Sequence, residues 1–203
     1  MKTKTIRLIL ALICGVALVS FENPPYEIGD SVSDFKLKNV DGKMVALSDY
    51  KDQNGAIVIF DCNTCPYSKA YNDRIIELNS KYSSKGFPVI TINPNNPEIS
   101  PGDSFKEMAS LAKKKNYTFP YLQDETQQVT RSFGATNTPH VFVLRKTGQN
   151  FNVAYIGTID NNSRDGSAAT KKYVEEAVDA LLDNKSIPTT RTKAIGCGIK
   201  WKD

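Results

Sequence analysis

Ala56-Ile57-Val58-Ile59-Phe60 is an unbroken apolar run rich in β-branched residues. A run without polar alternation predicts a strand buried on both faces, at the centre of a sheet. Upstream, Phe35 and Leu37 alternate with Lys36 and Lys38, Asp41-Gly42 marks a tight turn, and Met44 to Leu47 continues as a second strand. This is the pattern of a β-hairpin. Downstream, Tyr71, Ile75, Leu78 and Tyr82 recur at helical spacing and predict a helix from Pro66 to about Ser83, ended by Gly86. Pro88 to Ile92 is the next strand. Ser104 to Lys115 is a helix with Phe105, Met108, Leu111 and Ala112 on one face. Phe119 to Leu122 is a short extended piece, and Glu125 to Phe133 a short helix closed by Gly134. Val141 to Leu144 and Asn152 to Thr158 are strands joined by a turn at Thr147-Gly148, and Ser167 to Asp183 is the last helix. Residues 22–32, 93–102 and the segment from Lys185 onward read as non-regular. Strands alternating with helices predict an α/β fold, a central mixed β-sheet flanked by helices with an N-terminal β-hairpin.

The chain has 203 residues, enough for one domain with a sizeable core. Its first twenty residues have a different character. Lys2, Lys4 and Arg7 precede an apolar run from Leu8 to Val19, with Ala17 and Ser20 near its end. Twelve residues is short for a membrane span of ~20 but suits the core of a signal peptide. The expected organisation is a signal peptide at 1–20, a domain at 27–184 and a tail at 185–203 docked on it. Export to a periplasmic or other extracytoplasmic space follows, with no stable membrane insertion after cleavage. Cys14 raises a lipidation alternative, although Ile13 occupies the position where a small residue is usual. The whole chain carries +4; without Lys2, Lys4 and Arg7, 23 basic residues face 22 acidic ones. Such a balance gives no support for a nucleic-acid partner.

Beyond the signal three cysteines remain: Cys62, Cys65 and Cys197. An odd number leaves at least one thiol outside a purely structural disulfide framework. Cys62-Asn63-Thr64-Cys65-Pro66 lies between the buried strand and the first helix, which predicts Cys62 near the helix N-cap and Cys65 inside its first turn. Free N–H groups and the helix dipole favour a thiolate there. Asp61 pulls the other way, since a like charge raises a thiol pKa. The second thiol of such a spacing is within reach of a mixed disulfide formed on the first.

Taken together, these motifs resemble a known family. Phe35-x-Leu37…Asp41-Gly42-Lys43-x-Val45-x-Leu47-Ser48-Asp49 is similar to the opening of the AhpC/TSA redoxins, and strand–CxxC–helix with Thr138-Pro139 before a strand resembles the thioredoxin-like fold. The stretches Asp61 to Tyr71, Phe119 to Gln127 and Ile195 to Lys202 resemble a peroxiredoxin-like subgroup. The resemblance implies a thiol-disulfide oxidoreductase in which Cys62 attacks a disulfide or oxidised sulfur and Cys65 resolves. It also implies a cis Pro139 against the pair, with the Thr138 backbone free to bind a substrate chain. The partners implied are a protein or small-molecule disulfide and an external thiol reductant or oxidant. No flavin or nicotinamide motif is present, so no cofactor is expected.

This chain departs from a peroxiredoxin at matching positions. Cys62 stands where that family has Thr or Ser before its peroxidatic Cys, no Pro occurs from Ala56 to Asp61, and Thr138-Pro139-His140 replaces an expected Arg. An atypical thiol peroxidase is therefore the alternative enzyme, and a non-catalytic metal carrier the alternative from another class. For a metal, Cys62, Cys65 and the single histidine, His140, would give a soft N/S set suited to Cu(I), but zinc would want four ligands and no metal site is expected. Cys197 is open to two readings: a buried small hydrophobe in a docked tail, or a third redox thiol. Gly196 and Gly198 allow close backbone approach, and Trp201 is available as an apolar anchor.

Overall fold

In the computed structural model, which describes residues 24–202, the chain opens with a short strand β1 (Ser31–Val32) and the hairpin β2 (Lys36–Asn39) to β3 (Met44–Ala46). Then β4 (Gly55–Phe60) leads into α1 (Pro66–Tyr82), β5 (Val89–Asn93) into α2 (Phe105–Lys114), and β6 (Tyr121–Gln123) into α3 (Gln128–Phe133). After these come β7 (Asn137–Thr138), β8 (His140–Thr147), β9 (Asn150–Gly157), α4 (Tyr173–Leu182) and β10 (Cys197–Gly198). Eight strands form one mixed sheet in the order β1-β9-β8-β4-β5-β6-β2-β3, and β7 with β10 makes a separate two-stranded ladder.

β4 is central because every one of its residues is buried. It pairs parallel with β5 and antiparallel with β8. Side chains alternate between the two faces of a strand, so both faces of β4 need cover. Ile57 and Ile59 join Tyr71, Ile75, Leu78, Val174 and Val178 beneath α1 and α4. Ala56, Val58 and Phe60 join Ile90, Phe133, Phe142 and Ile199 on the other face, beneath α3 and the C-terminal segment. Edge-to-face contacts of Phe133 with Phe60 and Phe142 tighten that second core.

Several boundaries differ from expectation. The last helix starts at Tyr173, because Asp165 accepts from Ser167 N (2.8 Å) in a short turn and Asn161 Oδ1 accepts from the amides of Thr170 and Lys171. The helix expected from Glu125 starts at Gln128, since Gln127 takes a left-handed conformation (φ 59°) after a turn closed on Asp124 O. Asp124 then caps the helix by accepting from Thr130 N (2.7 Å). The lead-in supplies β1, which pairs with β9. The segment after Lys185 is far from irregular: Ile156 N donates to Thr190 O and Thr192 N donates to Ile156 O, covering the far half of the β9 edge.

Among the described residues no helix is long and apolar enough to cross a membrane. The expected signal peptide, with Cys14, lies outside the described residues.

Candidate active site

Adjacent carboxyl ends of β4 and β5 bring the cysteine loop and the Asn93–Asp103 segment together. The helix begins at Pro66, so Cys65 is the N-cap residue, with extended backbone (φ −65°, ψ 127°), and Pro66 is its first helical residue. Proline is suited to that position because its missing N–H has no helical partner there. Both cysteines thus sit earlier relative to the helix than their spacing predicted: Cys65 at the N-cap, and Cys62 in the loop before it.

What holds this loop is Asp103, which lies between the asparagine-rich segment after β5 and the start of α2. Its fully buried carboxylate accepts from Asn63 N (2.6 Å), Thr64 Oγ1 (2.8 Å), Ser100 Oγ (2.6 Å) and Asn95 Nδ2 (2.9 Å). Burial opposes ionisation of Asp103, but the hydrogen bonds from Ser100, Asn95, Thr64 and Asn63 outweigh it and hold the carboxyl below its usual range. Tyr121 OH donates to Asn63 Oδ1 (2.9 Å) from the other side. The one available signal was three asparagines, Asn93, Asn95 and Asn96, directly after a wholly apolar strand. Amides at such a place need buried partners.

Thr138, Pro139, Cys62 and Cys65 meet. The Thr138–Pro139 peptide is cis. Cys62 Sγ lies 3.0 Å from Thr138 Oγ1 and 3.7 Å from Ser68 Oγ, and Cys65 Sγ lies 3.2 Å from Thr138 O. Each cysteine is only 3% exposed.

The Thr138 backbone, expected to be free for a substrate strand, is occupied. β10 pairs antiparallel with β7, Cys197 opposite Thr138 and Gly198 opposite Asn137. Gly196 makes this approach possible: a Cβ there would sit 2.1 Å from Thr138 O. The tail is fixed on both sides of that contact. Asn137 Nδ2 donates to Gly196 O (3.1 Å), Lys200 N donates to Asn95 Oδ1 (2.9 Å), and Gln127 bonds both Lys200 O and Lys202 N. Ile199 is buried, and Arg131 stacks on Trp201 at 4.6 Å from the ring centre. Ile195 does not join this apolar side and is 43% exposed.

Electrostatically the two active-site thiols are unlike. Cys65 is lowered, first by sharing a proton with Cys62 and then by the nearby polar groups of Cys197 and Ser68, which together outweigh its burial. The Thr138 carbonyl, which accepts from Cys65 Sγ (3.2 Å), opposes charge there along with burial. Cys62 is pushed up, first by sharing its proton with Cys65, then by burial and the nearby carboxyls of Asp61 and Asp103. Asp61, wholly buried and with Oδ1 unpartnered, is raised by burial to about 7. His140 is lowered to about 4 by burial and by Arg191. Its Nδ1 accepts from Thr136 N (3.4 Å) and its ring lies against Phe142, so the imidazole considered as a soft-metal ligand faces away to other partners. Among the described residues no three His, Cys, Asp or Glu side chains gather in a metal-holding arrangement.

Residues 28–150 match the model of the AhpC/TSA family. The chain belongs to that family. It is similar to the thiol-disulfide oxidoreductase ResA of Geobacillus thermodenitrificans, 24% identical over 73% of this chain and 82% of the relative. Among solved structures it resembles a conserved protein from Geobacillus kaustophilus, 33% identical with a TM-score of 0.79, covering 87% of this chain and 93% of that one. A second, the protein SMc02350 of Sinorhizobium meliloti, is 30% identical with the same TM-score and covers 87% of this chain and 95% of that one. The thioredoxin-like arrangement of AhpC/TSA redoxins accounts for the strand–CxxC–helix unit and the cis proline beside it.

Proposed function

We propose that this redoxin is a thiol-disulfide oxidoreductase in which the Cys65 thiolate attacks a substrate disulfide and Cys62 resolves. These roles are the reverse of those the family resemblance implies. The observation that carries the reading is the placement of Cys65 at the α1 N-cap, where free helix N–H groups favour a thiolate, while the carboxyls of Asp61 and Asp103 raise Cys62. Attack by the Cys65 thiolate forms a mixed disulfide and expels one substrate sulfur as thiolate. Cys62 then loses its proton and attacks Cys65 Sγ, releasing the second substrate sulfur and leaving Cys62–Cys65 oxidised. Asp61 sits beside Cys62 with a carboxyl raised to about 7, suited to receive that proton near neutral pH. Thr138 and Pro139 position the two sulfurs. An external thiol resets the pair. The apolar, positively led segment at residues 1–20 supports work in an extracytoplasmic setting, where dithiols are redox-controlled.

The test is turnover of a model disulfide under thiol regeneration. Cys65→Ser is expected to abolish the first attack, while Cys62→Ser keeps a rapid first attack and loses steady-state Cys62–Cys65 cycling. Wild-type attack rates in Cys65→Ser would return the nucleophile to Cys62.

A further inference from the structure

We propose that Cys197 is a third redox thiol, which takes over Cys65 in a Cys65–Cys197 disulfide and so carries oxidising equivalents from the buried pair to the surface. The proposal rests on the dithiol reading above. Three observations place Cys197 for this task. It stands opposite Thr138 in the β7–β10 ladder, the same residue whose hydroxyl and carbonyl contact Cys62 and Cys65. Cys65 and Cys197 also act on one another electrostatically: the Cys197 thiol and amide favour charge on Cys65, and that charge opposes ionisation of Cys197. And Cys197 is only partly covered, whereas Cys62 and Cys65 are buried.

The tail is built to stay in this position. Anchors lie downstream at Ile199, Lys200 and Lys202 and upstream at Gly196 O. They occupy the strand edge beside cis Pro139, so a substrate chain has no open edge there. A small thiol can enter to reset the inner pair, whereas a bulky protein dithiol meets a disulfide more readily when it includes the partly covered Cys197.

The step balances without an added oxidant. Cys197 loses its proton and attacks Cys65 Sγ of the Cys62–Cys65 disulfide. The Cys65–Cys197 bond forms, the Cys62–Cys65 bond breaks, and Cys62 leaves as thiolate. The external dithiol then reduces Cys65–Cys197 by the same chemistry. The electrostatics set the order. In the reduced protein burial and the charge on Cys65 hold the Cys197 thiol protonated, while Lys200 favours its thiolate. Oxidation of Cys65 removes that charge and leaves Lys200 and the Tyr67 backbone acting against burial. Cys197 is therefore easier to ionise once the inner pair is oxidised.

The experiment treats the reduced full chain, with Cys14→Ser in every variant, with dipyridyl disulfide and follows pyridinethione release, intact mass and a disulfide peptide map. Cys62→Ser is expected to release both halves of the reagent and to lose two hydrogens in mass, with Cys65 and Cys197 joined. Cys62→Ser combined with Cys197→Ser releases one half and keeps the adduct on Cys65. In wild type the map shows both linkages, and Cys197→Ser slows re-reduction by a protein dithiol by an order of magnitude or more. A Cys62→Ser chain that keeps the adduct while Cys197 remains open to alkylation overturns the proposal. So does a Cys197→Ser chain re-reduced as fast as wild type. Wild type that yields Cys65–Cys197 but never Cys62–Cys65 fails the inner-pair reading and leaves the Cys197 linkage standing.

Discussion

Two segments meet over the cysteines and are held in opposite ways. α1 packs by repeated apolar burial: Tyr71, Ile75, Leu78 and Tyr82 all lie against the sheet. Each such side chain contributes roughly 1.5–3 kcal/mol, and the same pattern repeats turn after turn. The tail buries one aliphatic side chain, Ile199, sets a half-buried Trp201 against the core and Arg131, and is otherwise held by backbone groups. Asn96 N donates to Lys200 O, Lys200 N to Asn95 Oδ1, Lys202 N to Gln127 Oε1 and Ile199 N to Thr136 O. Net contributions of about 1 kcal/mol per bond fix a place and a register without supplying much global stability. The pair is thus set between a rigid helix and a strap that is well placed but weakly invested in the fold.

The sharpest break in that comparison is Ile75→Ala. It is expected to lower global stability by ~2–5 kcal/mol, as for other buried large-to-small changes, with the loss read in denaturant unfolding. A loss below ~1 kcal/mol would deny α1 its role as the main prop.

Next in size is a pair of opposed pH dependences, one on each side of the site. The Asp61 carboxyl is raised from 3.8 to about 7 by burial, so the folded state binds its proton more tightly. Its contribution is full below the unfolded value and is lost as pH rises through 7. His140 is lowered from 6.5 to about 4, so its contribution is full above 6.5 and is lost as pH falls toward 4. Each amounts to about 3–4 kcal/mol at most, and between the two lower and upper limits they offset one another. Asp61→Asn should leave stability rising with pH through this window, and His140→Gln should leave it falling. Parallel curves for wild type and both variants would show that neither group is perturbed.

The smallest effect separates strap from core. Gln127→Ala removes the group that holds both Lys200 O and Lys202 N and also bonds Pro94 O (2.6 Å). A cost of about 1–3 kcal/mol is expected, concentrated in the tail. Hydrogen exchange at residues 197–202 and Trp201 emission should change well before the amides of β4 and β5. A uniform loss of protection across the sheet would make the tail part of the core.

Periodic burial depends on neighbours in the chain, and so it was legible from residues alone. The apolar run of β4, the spacing along α1, the Asp41-Gly42 hairpin and the CxxC at a strand–helix junction each carry their reason locally. The sequence by itself therefore determined the α/β order, the central strand and which residues carry the sulfur chemistry. The tertiary structure alone decided how that chemistry is arranged. Asp103 holds a loop 39 residues earlier in the chain, and Cys197 pairs with Thr138 from the far end. Such contacts leave no period and no motif, because a hydrogen bond or a shared proton depends on distance in space. The same reason governs the charge on the cysteines. The helix begins one residue after Cys65, and Thr138, with β10 paired to it, meets that sulfur only in the folded chain.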